Sequence, residues 1–295
     1  MINRQELLHD IKQATEENTG FAMGKIGFSE QCILGYIPFL NSNPIGIKVK
    51  AYETMLKYHF EIQTGVFPSD PSFMKEFALF YIKQIQQINI LGIMQSAQEI
   101  ELVKTNEIQA KLIPYQLTEP DRSIPSNDNN CYLSIFKGKR ILFISPYADL
   151  LKYRAQQDIF EQVWKNTNKK WFSPKQCKAI EIPYSYGNSK LTHQTFNNSI
   201  ELYNYICGEI DKQEFDVALI AAGALALPIA AYIKNKGKIG VSLGGHLQVL
   251  FGINGGRWKN DSFWTEHYIN ENWIDMPKKY HPENKMNLTD NGAYW

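Results

Sequence analysis

Cysteine is scarce in this chain, and its four copies are scattered. Cys32, Cys131, Cys177 and Cys207 form no CxxC pair. That spacing argues against a cysteine-built metal cluster or a disulfide framework, and for reduced thiols in a cytosolic protein. An excess of one charge is missing too. Lys and Arg number 31 against 30 Asp and Glu, for a net charge of +1. Neither a nucleic-acid partner nor an acidic solvating tail is suggested. No run approaches the roughly 18 apolar residues that span a bilayer, so any membrane association is expected to be peripheral. The opening residues MINRQELLHDIKQATEENTG are polar and lack the apolar stretch of a secretion signal. GxGxxG with its ribose-binding acid is absent, and so is the Walker lysine motif. A nicotinamide dinucleotide site is therefore disfavoured.

What the chain does have is length, aromatics and a regular second half. Its 295 residues can bury a substantial core, in one large domain or two small ones. Four of the 6 Trp fall near the end, at Trp258, Trp264, Trp273 and Trp295. They are either core packing or a platform for a sugar face or a nucleobase.

Leu7, Leu8, Ile11 and Ala14 predict an opening helix that Gly20 ends. Phe21 to Met23 reads as a short strand running into Gly24–Glu30. Asp70 and Pro71 predict the start of a helix with Phe73, Phe77, Phe80, Tyr81, Ile85 and Ile88 as its buried stripe. Residues 119–130, EPDRSIPSNDNN, are turn-rich and mark a boundary or surface loop. It divides an N-terminal α/β portion, 1–130, from a βα portion, 131–295, and the two could be one continuous domain. Beyond it, apolar runs at 141–144, 179–182, 217–221 and 239–242 predict strands. Helical spacing separates them at 151–164, 196–210 and 226–235. This alternation predicts an α/β fold, with a Rossmann-like, mostly parallel sheet flanked by helices.

In such a sheet, ligands sit beyond the carboxyl ends of the strands. Four segments take that place: Gly24–Glu30, Ser145–Tyr147, Ala222–Leu225 and Leu243–His246. Gly223 and the Gly244–Gly245 pair each stand between a strand and a helix, where backbone amides can bind anionic oxygen. They could equally be tight connections. Glu30 is either a general base or metal ligand, or a solvated glutamate. His246 is either a proton acceptor or ligand contact, or a helix-start histidine bonded to backbone. Arg257, after Gly255–Gly256, either approaches a diphosphate or pairs with a carboxylate in the tail. The expected catalytic pair is thus Glu30 and His246. The expected binding set is Gly24, Lys25, Gly27, Ser145, Gly223, Leu225, Gly244, Gly245, Gln248, Arg257 and Trp258.

The segments GKRILFISPYADLLKYRAQ, FDVALIAAGALALPIAAYIKNKGKIGVSLGGHLQVLFGINGGRW and NENWIDMP…NGAYW resemble bacterial and large-virus proteins found with surface-polysaccharide functions. Those in turn are similar to glycosyltransferases of the GT-D fold. The resemblance implies a GT-D-like fold and transfer of a sugar from a nucleotide-diphosphate donor to a glycan or glycolipid acceptor. It also implies an Asp-x-Glu motif for metal and nucleotide-sugar binding. The matching stretch is Lys25-Ile26-Gly27-Phe28-Ser29-Glu30, which keeps Glu30 but has Phe28 at the aspartate's place. Phe28 offers no oxygen to manganese or magnesium, so a divalent metal is expected to be weakly bound or unnecessary. The family's Gly-Ala-Tyr-Gly loop reads here Gly223-Ala224-Leu225-Ala226, and His246 stands where a small residue is usual. The missing aspartate also suits an alternative, a catalytically inactive sugar- or nucleotide-binding subunit of a glycan-assembly complex.

Overall fold

The computed structural model describes residues 1–120, 131–167 and 172–295. Seven strands form one sheet: β1 (Phe21–Lys25), β2 (Ile90–Ile93), β3 (Lys111–Pro114), β4 (Arg140–Ser145), β5 (Gln176–Glu181), β6 (Val217–Ile220) and β7 (Ile239–Ser242). Their order is β3-β2-β1-β7-β6-β4-β5, and every pairing is parallel. The four late strands are contiguous, as the apolar runs predict. β1 pairs with β7, with Met23 opposite Val241. This join carries the sheet through both 1–130 and 131–295. Of the boundary loop expected at 119–130, only Glu119 and Pro120 lie within the described residues. A small parallel pair, β8 (Ile253–Asn254) and β9 (Ile274–Asp275), stands apart.

Side chains alternate across a strand, and here both faces are apolar. Leu142 and Ile144 of β4, with Ala218 and Ile220 of β6, enter one buried cluster. Ile141, Phe143, Val217 and Leu219 enter the other. The helices Phe28–Asn41, Pro71–Ile85, Ser199–Asp211 and Ala226–Asn235 cover the first face. The opening helix Arg4–Glu17 and the C-terminal aromatics cover the second. Burying a side chain the size of Leu142 or Phe143 is worth roughly 1.5–3 kcal/mol, which explains why these strands need no polar face. Trp164, Trp258, Trp264 and Trp273 are buried in the second cluster. Trp295 is half-buried.

Local signals account for several ends. Asp70 accepts the amides of Ser72 and Phe73, each at 3.1 Å, with Pro71 in the first turn. Asn3 caps the opening helix. That helix stops at Asn18, which takes the left-handed conformation (φ 52°), and not at Gly20. The helix expected over 151–164 is two, Ala148–Arg154 and Gln157–Val163. Extended backbone at Gln156 separates them, while Leu151, Ala155, Phe160 and Val163 all stay buried. An unbroken apolar rhythm cannot register so short a break. Among the described residues no helix is long and apolar enough to cross a membrane.

Candidate functional site

After β1 the chain turns toward β2 and β3, whereas β4, β5 and β6 lie on the other side of β7. The strand order therefore changes direction near the middle of the sheet, where a crevice opens beyond the carboxyl ends. A cavity of about 770 Å³ occupies it. Residues that follow all seven strands line it, among them Gly27, Met94, Glu119, Tyr147, Tyr184, Gly223 and Gly244. Its volume falls in the ordinary range for small-ligand sites.

The loop after β1 is shorter than the sequence suggests. Gly24 lies inside the strand, where a Cβ would meet Leu227 Cδ2 at 2.6 Å and Ser242 Cβ at 2.7 Å. Packing, and not approach of a ligand, requires that glycine. Gly27 caps the Phe28–Asn41 helix, and its amide donates to Glu30 Oε2 at 3.0 Å. Burial pushes the Glu30 carboxyl above its ordinary value, against the lowering effect of hydrogen bonds from its own amide and from Gly27, and of the Lys25 charge. Tyr81, fully buried, also lines the cavity, and its hydroxyl has no hydrogen-bond partner among the described residues. Burial, then the Glu30 charge, holds that phenol far above its usual range. Ser29 Oγ is 3.0 Å from His59 Nδ1. His59 opens a π-helical turn, His59–Thr64, and burial lowers its pKa from 6.5. Such turns are frequent at functional sites. Phe28, 62% exposed, meets His59 edge-on at 5.4 Å.

Lys25 reaches across to Glu119, Nζ to Oε1 at 2.5 Å, and sits over the Tyr115 ring. Glu119 is 2% exposed, and His246 Nδ1 lies 3.7 Å from the same oxygen. His246 is itself buried in the first turn of the short helix His246–Leu250, with Trp264 edge-on to its ring. The segments after β1, β3 and β7 are thus tied together by one buried carboxylate. Residue type and spacing give no sign of it, because Glu119 opens a stretch that reads as polar surface.

The glycine turns divide by role. Gly223 (φ 53°) needs its glycine for conformation and because a Cβ would strike the Thr64 carbonyl. Gly244 (φ 55°) faces open space. A Cβ on Gly245 would fall on the Tyr294 ring, 2.7 Å from Cδ1 and closer still to Cε1. That ring accounts for a glycine at this position, while the Gly245 backbone still lines the cavity. Among the described residues the amides of Gly223, Ala224 and Gly245 donate to no backbone carbonyl, and Gly223, Gly244 and Gly245 line the cavity. Ser145 is fully buried, with Oγ accepting the Tyr147 amide at 3.2 Å, and it is not among the lining residues. Gln248 lines the cavity but holds the tail, its Nε2 donating to the Tyr294 carbonyl at 3.0 Å. Arg257 stands exposed at the rim. Its Nη1 donates to Tyr294 Oη at 3.1 Å, and its guanidinium lies 4.8 Å from that ring. Leu225 and Trp258 are buried wall residues.

The remaining wall is aromatic. Tyr184 and Tyr186 stack at 5.8 Å, and Trp295 packs edge-on against both. Trp295 Nε1 donates to Tyr184 Oη at 3.2 Å. Of the four C-terminal tryptophans, Trp258 and Trp295 line the cavity, while Trp264 and Trp273 only pack. Among the described residues no group of three His, Cys, Asp or Glu is arranged to hold a metal ion. With Phe28 supplying no oxygen, the donor set does not fit a divalent cation. Comparison with protein-family models, with curated proteins and with solved structures finds no match.

Proposed function

We propose that this chain is a glycosyltransferase that moves a sugar from a nucleotide-diphosphate donor to a glycan acceptor in surface-polysaccharide assembly. One observation carries the reading. A single cavity brings Arg257, Lys25 and the turns of Gly223 and Gly245 to the same crevice as a Tyr–Trp wall and the half-buried Glu30. Amides and a guanidinium suit diphosphate oxygens, the first by dipole and the second by its planar fork. Aromatic faces suit a sugar or a base. The GT-D resemblance of the Lys25–Glu30 stretch points the same way.

In the transfer, the bond from the anomeric carbon to the diphosphate oxygen breaks, and its electron pair stays with the diphosphate. Arg257 offsets that charge. The acceptor oxygen bonds to the anomeric carbon as its proton passes to Glu30. A carboxylate with a raised pKa is a stronger base than an ordinary one, which suits this step. His246, held beside Glu119, orients the loop after β7 toward the donor. No step is routed through a metal.

One observation favours a second reading, a non-catalytic sugar- or nucleotide-binding subunit: Glu30 Oε2 is already engaged by the Gly27 amide. A thermal-shift panel of nucleotide sugars, with and without manganese, followed by a transfer assay on the best binder, separates the two. A donor that raises the melting temperature and turns over supports the transferase. Binding without turnover favours the second reading. No shift with any nucleotide sugar sinks both.

A further inference from the structure

The helix Gly46–Tyr58 is attached to the body by one side only. Leu56 is its one fully buried residue. Beside it, Tyr52 stacks on Phe39 at 4.5 Å and donates to the Cys32 carbonyl at 2.9 Å. Glu53, the helix's only carboxylate, accepts from Tyr36 Oη at 2.7 Å. The opposite side carries Ile47 (76% exposed), Ala51, Met55 (37%) and Tyr58 (54%). At 3.6 residues per turn these four fall within an arc of about 80°. Lys48 flanks the arc on one side, and Lys50 and Lys57 on the other, all exposed. Single exposed apolar side chains need no explanation, but an aligned stripe does. An apolar stripe flanked on both sides by lysine is the pattern of a helix lying in a membrane interface.

We propose that this helix docks the protein on an anionic lipid bilayer. Ile47, Ala51, Met55 and Tyr58 enter the boundary between headgroups and acyl chains, and the flanking lysines meet the headgroup charge. Charge complementarity selects this occupant. The exposed face is basic and Glu53 is held by Tyr36, so a second copy of the chain would set lysine against lysine. Among the described residues, of these three lysines only Lys57 pairs with a carboxylate, Glu61 at 3.8 Å, and both are partly solvated. The stripe also leads to the cavity. Tyr58 and Phe28 both line its mouth, and both rings meet His59 edge-on, at 5.6 and 5.4 Å. A docked helix therefore opens the cavity beside the lipid surface. This docking does not depend on the transfer chemistry proposed above.

Co-sedimentation tests it, using vesicles of phosphatidylcholine alone and vesicles of equal parts phosphatidylcholine and phosphatidylglycerol. The parent protein is expected to bind the anionic vesicles, to bind the neutral ones far less, and to be released by added salt. Ile47→Ser/Met55→Ser should weaken binding roughly tenfold or more, because each change withdraws apolar carbons from the lipid. Both sites are solvent-exposed, and unchanged circular dichroism and melting would exclude a folding defect. Leu79→Ser, an exposed apolar residue on another helix, should bind as the parent does. Failure of the parent to bind anionic vesicles overturns the proposal. So does equal binding by the double variant, indifference to phosphatidylglycerol, or capture by an acidic polypeptide in place of vesicles.

Discussion

Replacing Gly245 with alanine should unsettle the tail that walls the cavity before it touches any ligand. The added Cβ falls on the Tyr294 ring, 2.7 Å from Cδ1 and 2.9 Å from Cζ. Both are well inside ordinary carbon–carbon contact. The ring cannot swing away freely. It lies 5.7 Å from Trp258 and 5.8 Å from Trp295, Arg257 donates to its hydroxyl, and Gln248 holds its carbonyl. Overpacking of this kind costs about 1–3 kcal/mol. For a chain of this size 1 kcal/mol is worth roughly 2 °C, so the melting point should fall by about 2–6 °C. The check is a double-mutant cycle with Tyr294→Ala, read by thermal melting. Removing the ring should relieve most of the Gly245→Ala penalty, giving a coupling of about 1 kcal/mol or more. If Gly245→Ala melts with the parent, or if Tyr294→Ala brings no relief, the ring does not explain this glycine. Gly244→Ala is the contrast. Its Cβ meets nothing, so only the positive φ is strained, at about 1 kcal/mol, and Tyr294→Ala should leave that cost unchanged.

Four further outcomes follow. Glu30→Gln keeps an oxygen for the Gly27 amide, so the fold and donor binding should survive while turnover falls by roughly 10²–10⁴. The parent rate should decline as pH drops through the raised Glu30 pKa, and this limb should vanish in the variant. His246→Ala should act mainly on substrate affinity, and steady-state kinetics beside separate binding measurements would expose the reverse assignment. Lys25→Met takes the lysine away from the buried Glu119 carboxylate. Loss of a fully buried partner costs about 3–5 kcal/mol, and Lys25 is partly solvated, so a chemical melt should show roughly 1–3 kcal/mol. Glu119→Gln made on top of Lys25→Met should recover part of it. His59 has a pKa lowered by burial, so the stability it contributes is present above 6.5 and is lost as pH falls toward its folded value. Melting curves across that window should flatten in His59→Gln, and an unchanged pH dependence would count against a buried neutral imidazole.

Much of the architecture was legible because each strand is apolar on both faces and is separated from the next by a helical rhythm. Ile141–Ile144 and Val217–Ile220 show this plainly. β2 and β3 escaped notice because four residues such as Ile90–Ile93 are too few to show a period. They become strands only by pairing outward from β1. The site was legible where it lies close in sequence to a strand end, as with Lys25, Gly27, Glu30, Gly223 and Gly244. It was not legible where a side chain arrives through the fold. Tyr81 reads as one more member of an apolar helical stripe, and nothing in its neighbours tells that its hydroxyl will be left unpaired. His59 sits on a turn whose π-helical form no local motif announces.

Glu119 carries that lesson furthest. A carboxylate taken out of water is costly unless it is paired and hydrogen-bonded, and a buried ion pair is often no more stable than apolar residues of the same size. The Lys25–Glu119–His246 arrangement is therefore poorly explained as a device for stability. It is better explained by what it fixes. The segments after β1 and β7 belong to adjacent strands, but Glu119 follows β3, two strands away from β1. A bond to Lys25 and a neighbouring His246 hold that segment at the sheet's carboxyl edge, where Glu119 lines the cavity. Lys25 has its charge partly spent on Glu119 and is only 31% exposed, whereas Arg257 stands exposed at the rim, where an incoming anion arrives first. On this view Arg257→Ala should weaken donor binding more than Lys25→Met weakens it per molecule still folded. Isothermal titration on the folded fractions would decide the point, and a larger loss at Lys25 would mean that the lysine meets the ligand directly.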